Sequence, residues 1–233
     1  MTAPVIHRIT TLDLRLESWR WPFADHRRAE IDAHFAEARA LRPELWNGRI
    51  LLGRLPAFDG ERFSASYFET DFASFLAWRD WGFPDLGVFN GFGMGALRGC
   101  DGAFVLGEMG PGTANAGRVY FPSGTPDLDD LRGDVVDIAG SVVRETAEET
   151  GLLPGDYRAL AHWDCVVSGA SIAMIRILDL DLTGAALRAK IEANLAQQAR
   201  PELAAIHLVH DLSDLTDAMP RFVTAFFEQE WAR

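Results

Sequence analysis

The chain has 233 residues, of which 48% are hydrophobic and 24% are charged, a composition typical of a globular protein with one large domain or a core domain plus an extension. Its formal net charge of −12 argues against binding to nucleic acid, because phosphate backbones require a basic patch. Two cysteines, Cys100 and Cys165, exclude a disulfide framework, and no Cys/His spacing indicates zinc. No run approaches the roughly 18 apolar residues of a membrane span. Residues 1–11 lack an apolar signal core, so we expect a cytoplasmic location and no membrane partner.

The first third of the chain predicts a small α+β unit. Residues 25–42 carry apolar side chains at helical spacing, and Pro43 ends the predicted helix. An Asn-Gly turn leads into two predicted strands, residues 49–55 and 63–69. Residues 71–81 return to helical spacing. We therefore predict an N-terminal extension over residues 1–85 whose aromatic side chains pack onto the rest of the chain. A substrate cleft and a homodimer interface are the alternative uses of these aromatics.

Residues 86–233 contain shorter predicted strands alternating with helices. The predicted strands are residues 88–97, 103–109, 118–121, 157–166, 170–180 and 204–209, and the predicted helices are residues 137–150, 185–198 and 219–231. The glycine-rich run at residues 91–95 lacks the following helix and the lysine of a phosphate-binding loop. Glycines within a strand instead predict a bulge or a close backbone approach. The pattern alone indicates mixed α and β structure.

One stretch, residues 144–152, reads Arg-Glu-Thr-Ala-Glu-Glu-Thr-Gly-Leu. On a helix, Glu145, Glu148 and Glu149 stand at i, i+3 and i+4, which predicts three carboxylates on one face. Like charges at this spacing repel, and carboxylates in a last turn meet the negative end of the helix dipole. Local costs of this kind are typical of a functional site. Clustered carboxylate oxygens suit Mg²⁺, although a solvated acidic helix end is the alternative reading.

This stretch resembles the C-terminal half of the Nudix box, Arg-Glu-x-x-Glu-Glu-x-Gly followed by an aliphatic residue, and every fixed position is met from Arg144 to Leu152. The N-terminal half departs from the pattern. Val136 stands eight residues before Arg144, where the family has a glutamate. Gly124 lies twenty residues before Arg144 rather than fourteen, which predicts an insertion of about six residues within residues 127–133.

The resemblance implies an α/β/α sandwich with a mixed sheet over residues 86–233. It also implies hydrolysis, dependent on Mg²⁺ or Mn²⁺, of a nucleoside diphosphate linked to another group. By the same resemblance Glu145 and Glu149 are metal ligands, Glu148 shares ligation or acts as a base, and Arg144 holds the glutamates in place. The turn at Gly124 offers a carbonyl oxygen as a further ligand.

Four further features complete the prediction of the site. Arg118 and Phe121 lie beside the Gly124 turn and are candidates for contacts with phosphate or base. Glu202 is a candidate for an additional carboxylate, with an exposed strand-entry residue as the alternative. The acidic run at residues 127–134 is predicted to be a solvated loop, with contact to the metal as the alternative. Residues 43–49, Pro-Glu-Leu-Trp-Asn-Gly-Arg, are similar to a stretch upstream of the box in animal UDP-sugar hydrolases of this superfamily.

The similarity at residues 43–49 favours a sugar nucleotide such as UDP-glucose or ADP-ribose as the substrate. The competing hypothesis is a non-catalytic sensor that binds a nucleotide on the same scaffold. The three glutamates of the box favour an enzyme, whereas Val136 in place of the box glutamate leaves the sensor open.

Overall fold

The computed structural model of the protein describes residues 3–232. Met1, Thr2 and Arg233, which belong to the ends of the predicted segments 1–85 and 86–233, lie outside the described residues. The strands are β1 (Val5–Ile9), β2 (Thr11–Leu16), β3 (Arg49–Asp59), β4 (Arg62–Asp71), β5 (Val88–Arg98), β6 (Phe104–Met109), β7 (Val119–Tyr120), β8 (Ser123–Gly124), β9 (Leu131–Arg132), β10 (Val135–Val136), β11 (Arg158–Ala159), β12 (Trp163–Ser168), β13 (Ser171–Asp179) and β14 (Leu203–Val209). The helices are α1 (Pro22–His26), α2 (Arg28–Leu41), α3 (Phe72–Asp80), α4 (Ile138–Thr150), α5 (Gly184–Leu195) and α6 (Arg221–Glu230). No helix within residues 3–232 has the length and apolar character needed to cross a bilayer.

The strands form one mixed sheet in the order β1-β12-β13-β5-β3-β4-β2-β10-β9, with the remaining strands pairing beside this path. Only the β13–β5 and β2–β4 ladders along this path are parallel. Strands from both sides of the predicted boundary at residue 85 pair directly, since β1 joins β12 and β3 joins β5. The division into segments 1–85 and 86–233 stays a prediction, and the hydrogen bonding of the sheet runs across it.

Two clusters of buried side chains pack against this sheet. The larger surrounds β5, β6 and β13 and includes the inward faces of α4, α5 and α6. The smaller lies where α2 and α3 cover β3 and β4, and Trp21, Phe68 and Trp78 are its aromatic members with the least exposure. The aromatic residues of the first 85 positions thus pack mainly among themselves in a second cluster, and their expected packing onto the rest of the chain stays a prediction.

Helix α4 is held close to the middle of the sheet. Asp137 caps its N-terminus by accepting a hydrogen bond from the Gly140 N–H at 2.9 Å, and Gly151 ends it in the left-handed conformation with φ 74°. A Cβ atom on Gly93 of β5 would lie 2.6 Å from a methyl group of Val142. The glycine-rich run at residues 91–95 therefore provides a close approach of strand to helix, as its sequence predicts.

Most predicted elements are confirmed, and two differ in detail. The helix predicted at residues 25–42 is divided into α1 and α2 at Arg27, whose guanidinium lies 4.2 Å from the centre of the Trp81 ring. The strand predicted at residues 157–166 is divided into β11 and β12. Between them the Leu160 C=O accepts a hydrogen bond from the Arg176 side chain at 2.6 Å.

The insertion predicted within residues 127–133 is ordered rather than a simple loop. Leu128–Asp130 forms a 3-10 turn, and β9 and β10 follow as a hairpin around Gly133, which has φ 67°. Strand β10 also pairs with β2. The insertion therefore lies against the N-terminal segment on one side and leads directly into α4 on the other.

Candidate metal and substrate site

Two carboxylates of α4 are buried against the turn that contains β8. Glu145 is 9% exposed and Glu149 is 4% exposed. The Ser123 N–H donates a hydrogen bond to Oε1 of Glu149 at 3.1 Å. A Cβ atom on Gly124 would overlap the carboxylate of Glu145, so a residue without a side chain is required there. The turn and the helix are therefore shaped to bring backbone atoms against both carboxylates.

The surroundings oppose ionisation of this pair. Burial raises the pKa of Glu145 to about 7, although the neighbouring Arg144 acts in the opposite direction. Burial, and then the proximity of Glu145, raise the pKa of Glu149 well above its ordinary value. Adjacent buried carboxyls with raised pKa values mark a place where positive charge is lacking, and a divalent cation would supply it.

Glu148 points away from this pair. Its side chain is 60% exposed, and its Oε2 lies 3.5 Å from the Arg144 guanidinium. The expectation that three carboxylates share one face is therefore corrected for this residue. Consecutive residues are separated by about 100° around a helix, so Glu149 can point into the protein only when Glu148 points towards its edge.

Arg144 is held by a carboxylate that the sequence pattern did not identify. Its guanidinium lies 3.1 Å from both carboxylate oxygens of Asp130, which is only 2% exposed, and 2.9 Å from Oε1 of Glu145. Val136, at the position of the box glutamate, is a buried apolar residue, and its neighbour Asp137 caps α4. The inserted 3-10 turn thus places the Asp130 carboxylate beside Arg144, whereas the family pattern would have a glutamate at position 136.

The prediction of a solvated acidic loop is therefore wrong for Asp130. Its second role is local, because it accepts a hydrogen bond from the Asp127 N–H at 3.1 Å while Asp127 caps the same turn. Two aspartates three residues apart are a capping-box pattern, and this spacing was the signal available in the sequence.

A cavity of about 830 Å³ adjoins the turn at Ser123 and Gly124. Its wall is assembled from one side of α3 and the residues after it, from the loop preceding β7, and from the start of α6 with the segment that leads into it. Tyr120, Asn90 and Phe92 from the sheet complete the wall. The cavity is large enough for a nucleotide-sized ligand.

Of the two residues predicted to contact substrate beside the turn, one lies at the cavity and one does not. Arg118 is exposed at the cavity wall and donates a hydrogen bond to the Asp217 C=O at 3.2 Å. Within the part of the chain that the structure describes, no carboxylate forms an ion pair with it. Phe121 is fully buried between Phe104 and Phe226, which corrects its expected role. Alternation along a strand places Phe121 on the face opposite Tyr120.

Glu202, immediately before β14, belongs to the electrostatic environment of the α4 carboxylates. The residue is exposed overall, yet the surrounding protein and then Glu148 raise the pKa of its carboxyl. Glu202 in turn contributes to the raised pKa values of Glu145 and Glu149. Glu202 is therefore a further carboxylate near the buried pair, in addition to Glu148 and Asp130.

These oxygen donors do not form a closed cage. Among residues 3–232, no three Asp, Glu, His or Cys side chains converge into a ready-made ligand set. Two buried carboxylates at the edge of an open cavity instead suit Mg²⁺, which keeps several water ligands and bridges to the phosphates of a substrate.

No protein-family model matches the sequence, and no curated protein matches it. Solved structures do match. One is a Nudix hydrolase from M. smegmatis, RenU, with 16% identity over 62% of this chain and 87% of that chain and a TM-score of 0.41. Another is the MutT protein from Methanosarcina mazei Go1, with 18% identity, coverage of 62% and 96%, and a TM-score of 0.35. A bifunctional NMN adenylyltransferase/ADP ribose pyrophosphatase from Francisella tularensis matches with 10% identity, coverage of 68% and 46%, and a TM-score of 0.43. Nudix proteins are thus among the solved structures to which this mixed α/β chain is similar, at low sequence identity.

Proposed function

We propose that the protein is a Nudix-type hydrolase that cleaves the phosphoanhydride bond of a nucleoside diphosphate linked to another group, with Mg²⁺ or Mn²⁺. The observation that carries the proposal is the buried pair Glu145 and Glu149, held against the Ser123-Gly124 turn at the edge of a cavity of about 830 Å³. Burying two neighbouring carboxyls is costly, and a cation that joins them to the phosphates of a substrate accounts for that cost.

The residues that would hold the cation are Glu145 and Glu149, together with a backbone carbonyl of the turn at Gly124. Glu148, which points to the exposed edge of the same helix turn, would act through a water molecule on the cation rather than as a direct ligand. When bound, the cation neutralises phosphate charge and lowers the pKa of water, which are the two requirements of phosphoanhydride hydrolysis. Arg144 keeps the direction of Glu145 fixed, and Asp130 in turn fixes Arg144.

Two further side chains have proposed roles around the reacting phosphates. Glu202 lies close enough to the α4 carboxylates to influence their pKa values, and its own raised pKa suits a group that accepts a proton from the attacking water. Arg118, which has no carboxylate partner among the described residues, offers its guanidinium to a phosphate oxygen at the cavity wall. A sugar nucleotide such as UDP-glucose or ADP-ribose is the proposed substrate class.

A nucleotide sensor on the same scaffold is the second candidate. It is favoured by one observation, the lack of a converged three-ligand set among residues 3–232. A sensor would bind nucleotides without turning them over, so turnover separates the two candidates.

The test is phosphate release, through a coupled phosphatase, from UDP-glucose, ADP-ribose, CoA and a dinucleotide polyphosphate with Mg²⁺ or Mn²⁺. We expect metal-dependent turnover of one class by the wild type and by Glu192→Gln, a matched substitution on an exposed glutamate of α5. Glu149→Gln should lose that turnover. Nucleotide binding, seen as thermal stabilisation, with no turnover under either metal would overturn the hydrolase and leave the sensor.

A further inference from the structure

We infer that helix α3 and the residues that follow it form a subsite for the nucleobase of the substrate. The inference rests on the proposed function, because it takes the phosphates to lie at the α4 carboxylates. Phe75, Arg79 and Phe83 line one wall of the cavity, and Ser123 and Gly124 line the part that adjoins those carboxylates. The N-terminal segment would then select the substrate, and α4 would carry the chemistry.

The aromatic part of this wall is rigid. Phe83 packs edge-on against Trp78, with ring centres 4.7 Å apart, and Phe75 lies 6.3 Å from the same indole. Trp78 is fully buried, and its indole N–H donates a hydrogen bond to the Asp85 C=O at 3.1 Å. Rings fixed in this way line the cavity at little cost in side-chain entropy, and an aromatic ring is a platform on which a base can stack.

Polar groups stand beside these rings. The Arg79 guanidinium lies 5.9 Å from the centre of the Phe75 ring and donates a hydrogen bond to the Asn115 Oδ1 at 3.2 Å. The Asn90 Oδ1, also in the cavity wall, is buried and has no hydrogen-bond partner within residues 3–232. A buried amide oxygen without a partner requires an explanation, and the donor edge of a base provides one.

The backbone at Phe83 supports a functional use of its ring. Phe83 has φ 60°, the left-handed region, and follows Gly82 with φ 79°. Its N–H donates to the Trp78 C=O at 2.8 Å, which closes the C-terminus of α3. Glycine would adopt this conformation without strain, so a phenylalanine here carries a conformational cost. Its ring packs against Trp78 and lines the cavity, which a glycine could not do.

The N-terminus of α3 is fixed by the stretch at residues 43–49. The Asn47 Oδ1 accepts a hydrogen bond from the Ala73 N–H at 2.8 Å, and the Gly48 C=O accepts one from the Phe72 N–H at 2.9 Å. These bonds satisfy two of the N–H groups that every helix start leaves unpaired. Asn47 is therefore a positioning residue for the cavity wall, and the Asn-Gly turn acts on recognition through its hydrogen bonds to α3.

The experiment measures the affinity of the full chain, in Mg²⁺, for UMP, AMP and ribose 5-phosphate by calorimetry. Phe75→Leu retains apolar bulk without the ring, and Phe83→Gly removes the ring while relieving the backbone. Phe35→Leu is the matched control, because Phe35 belongs to the same buried cluster but does not line the cavity. We expect the preferred nucleotide to bind at least 10-fold more weakly to both test variants, while ribose 5-phosphate and the control variant are unaffected.

Two results would overturn the inference. One is unchanged nucleotide affinity in both folded variants, and the other is an equal loss of affinity for ribose 5-phosphate, which has no base. The readout does not depend on turnover, so the two proposals fail separately. Base-dependent binding without hydrolysis would support the nucleobase subsite and exclude the hydrolase. Hydrolysis with an unchanged KM in both variants would support the hydrolase and exclude the nucleobase subsite.

Discussion

The two ends of the cavity differ in the kind of unfavourable free energy that their structure contains. At α4 the cost is electrostatic, because Glu145 and Glu149 are buried side by side with raised pKa values. At α3 the cost is conformational, because Phe83 adopts a left-handed backbone to place an aromatic ring. A cation and phosphate would offset the electrostatic cost of burying the two carboxylates. A nucleobase would stack on the aromatic ring that the strained backbone at Phe83 places in the cavity wall. Changes at α4 should therefore act mainly on kcat, and changes at α3 mainly on KM.

The largest effect is expected at the α4 end. Glu149→Gln keeps the shape of the side chain and its hydrogen bond from Ser123 but removes the charge that would hold the cation. We expect kcat to fall by about 10²–10³-fold, as is usual when a group that stabilises the transition state electrostatically is lost. Steady-state kinetics with the preferred substrate provide the measurement. Full activity in the variant would exclude Glu149 from the metal site, and Glu192→Gln should behave as the wild type.

The second prediction concerns stability and pH. The pKa of Glu145 is raised from 4.5 to about 7 in the folded protein, so its ionisation opposes folding. The contribution of this group is therefore most favourable below pH 4.5 and is lost as the pH rises towards 7, by up to about 3 kcal/mol. Urea unfolding at pH 5 and pH 7.5 should show a smaller fall in Glu145→Gln than in the wild type. Mg²⁺ should restore stability to the wild type at pH 7.5, and an equal fall in both proteins would contradict this assignment.

The third prediction tests the support behind the carboxylates. Asp130→Asn removes the charge that holds Arg144, leaving the guanidinium to Glu145 and Glu148. Substitutions behind a metal ligand typically cost about 10–100-fold in metal affinity or activity, and we expect a loss in that range. The Mg²⁺ dependence of turnover gives the apparent affinity. Asp129→Asn, on the exposed neighbour in the same turn, is the control. A matching loss in the control would assign the effect to the turn itself.

The sequence predicted the α4 end better than the α3 end for a physical reason. Residues 144–150 lie within one helix, where a spacing of 3.6 residues per turn fixes which side chains are neighbours. The contact between Asp130 and Arg144 depends instead on an insertion that folds back as a 3-10 turn, so the pattern could not reveal it. The role of Phe121 was mistaken because a two-residue strand does not indicate which face meets the cavity.

The cavity wall could not be predicted from local patterns at all. Phe75 on α3 and Phe222 on α6 line the same cavity although 147 positions (222 − 75) separate them in the sequence. Their approach depends on the β3–β5 pairing, which joins the N-terminal segment to the rest of the sheet. Periodicity in the sequence identifies elements, whereas such long-range pairing is determined by the packed fold.

The smallest effect is expected at the start of α3. Asn47→Ala removes the acceptor of the Ala73 N–H, which should reduce the free energy of unfolding by about 1 kcal/mol. Because α3 carries Phe75 and Arg79 into the cavity wall, loosening its first turn should also raise KM about 3-fold and leave kcat unchanged. Asn47→Asp keeps an acceptor oxygen and adds a charge that the helix N-terminus favours, so it should retain both stability and KM. A change in kcat with constant KM would show that Asn47 affects the reaction at α4 rather than substrate binding at α3. A change confined to stability would show that the anchoring of α3 has no influence on the selection of the substrate.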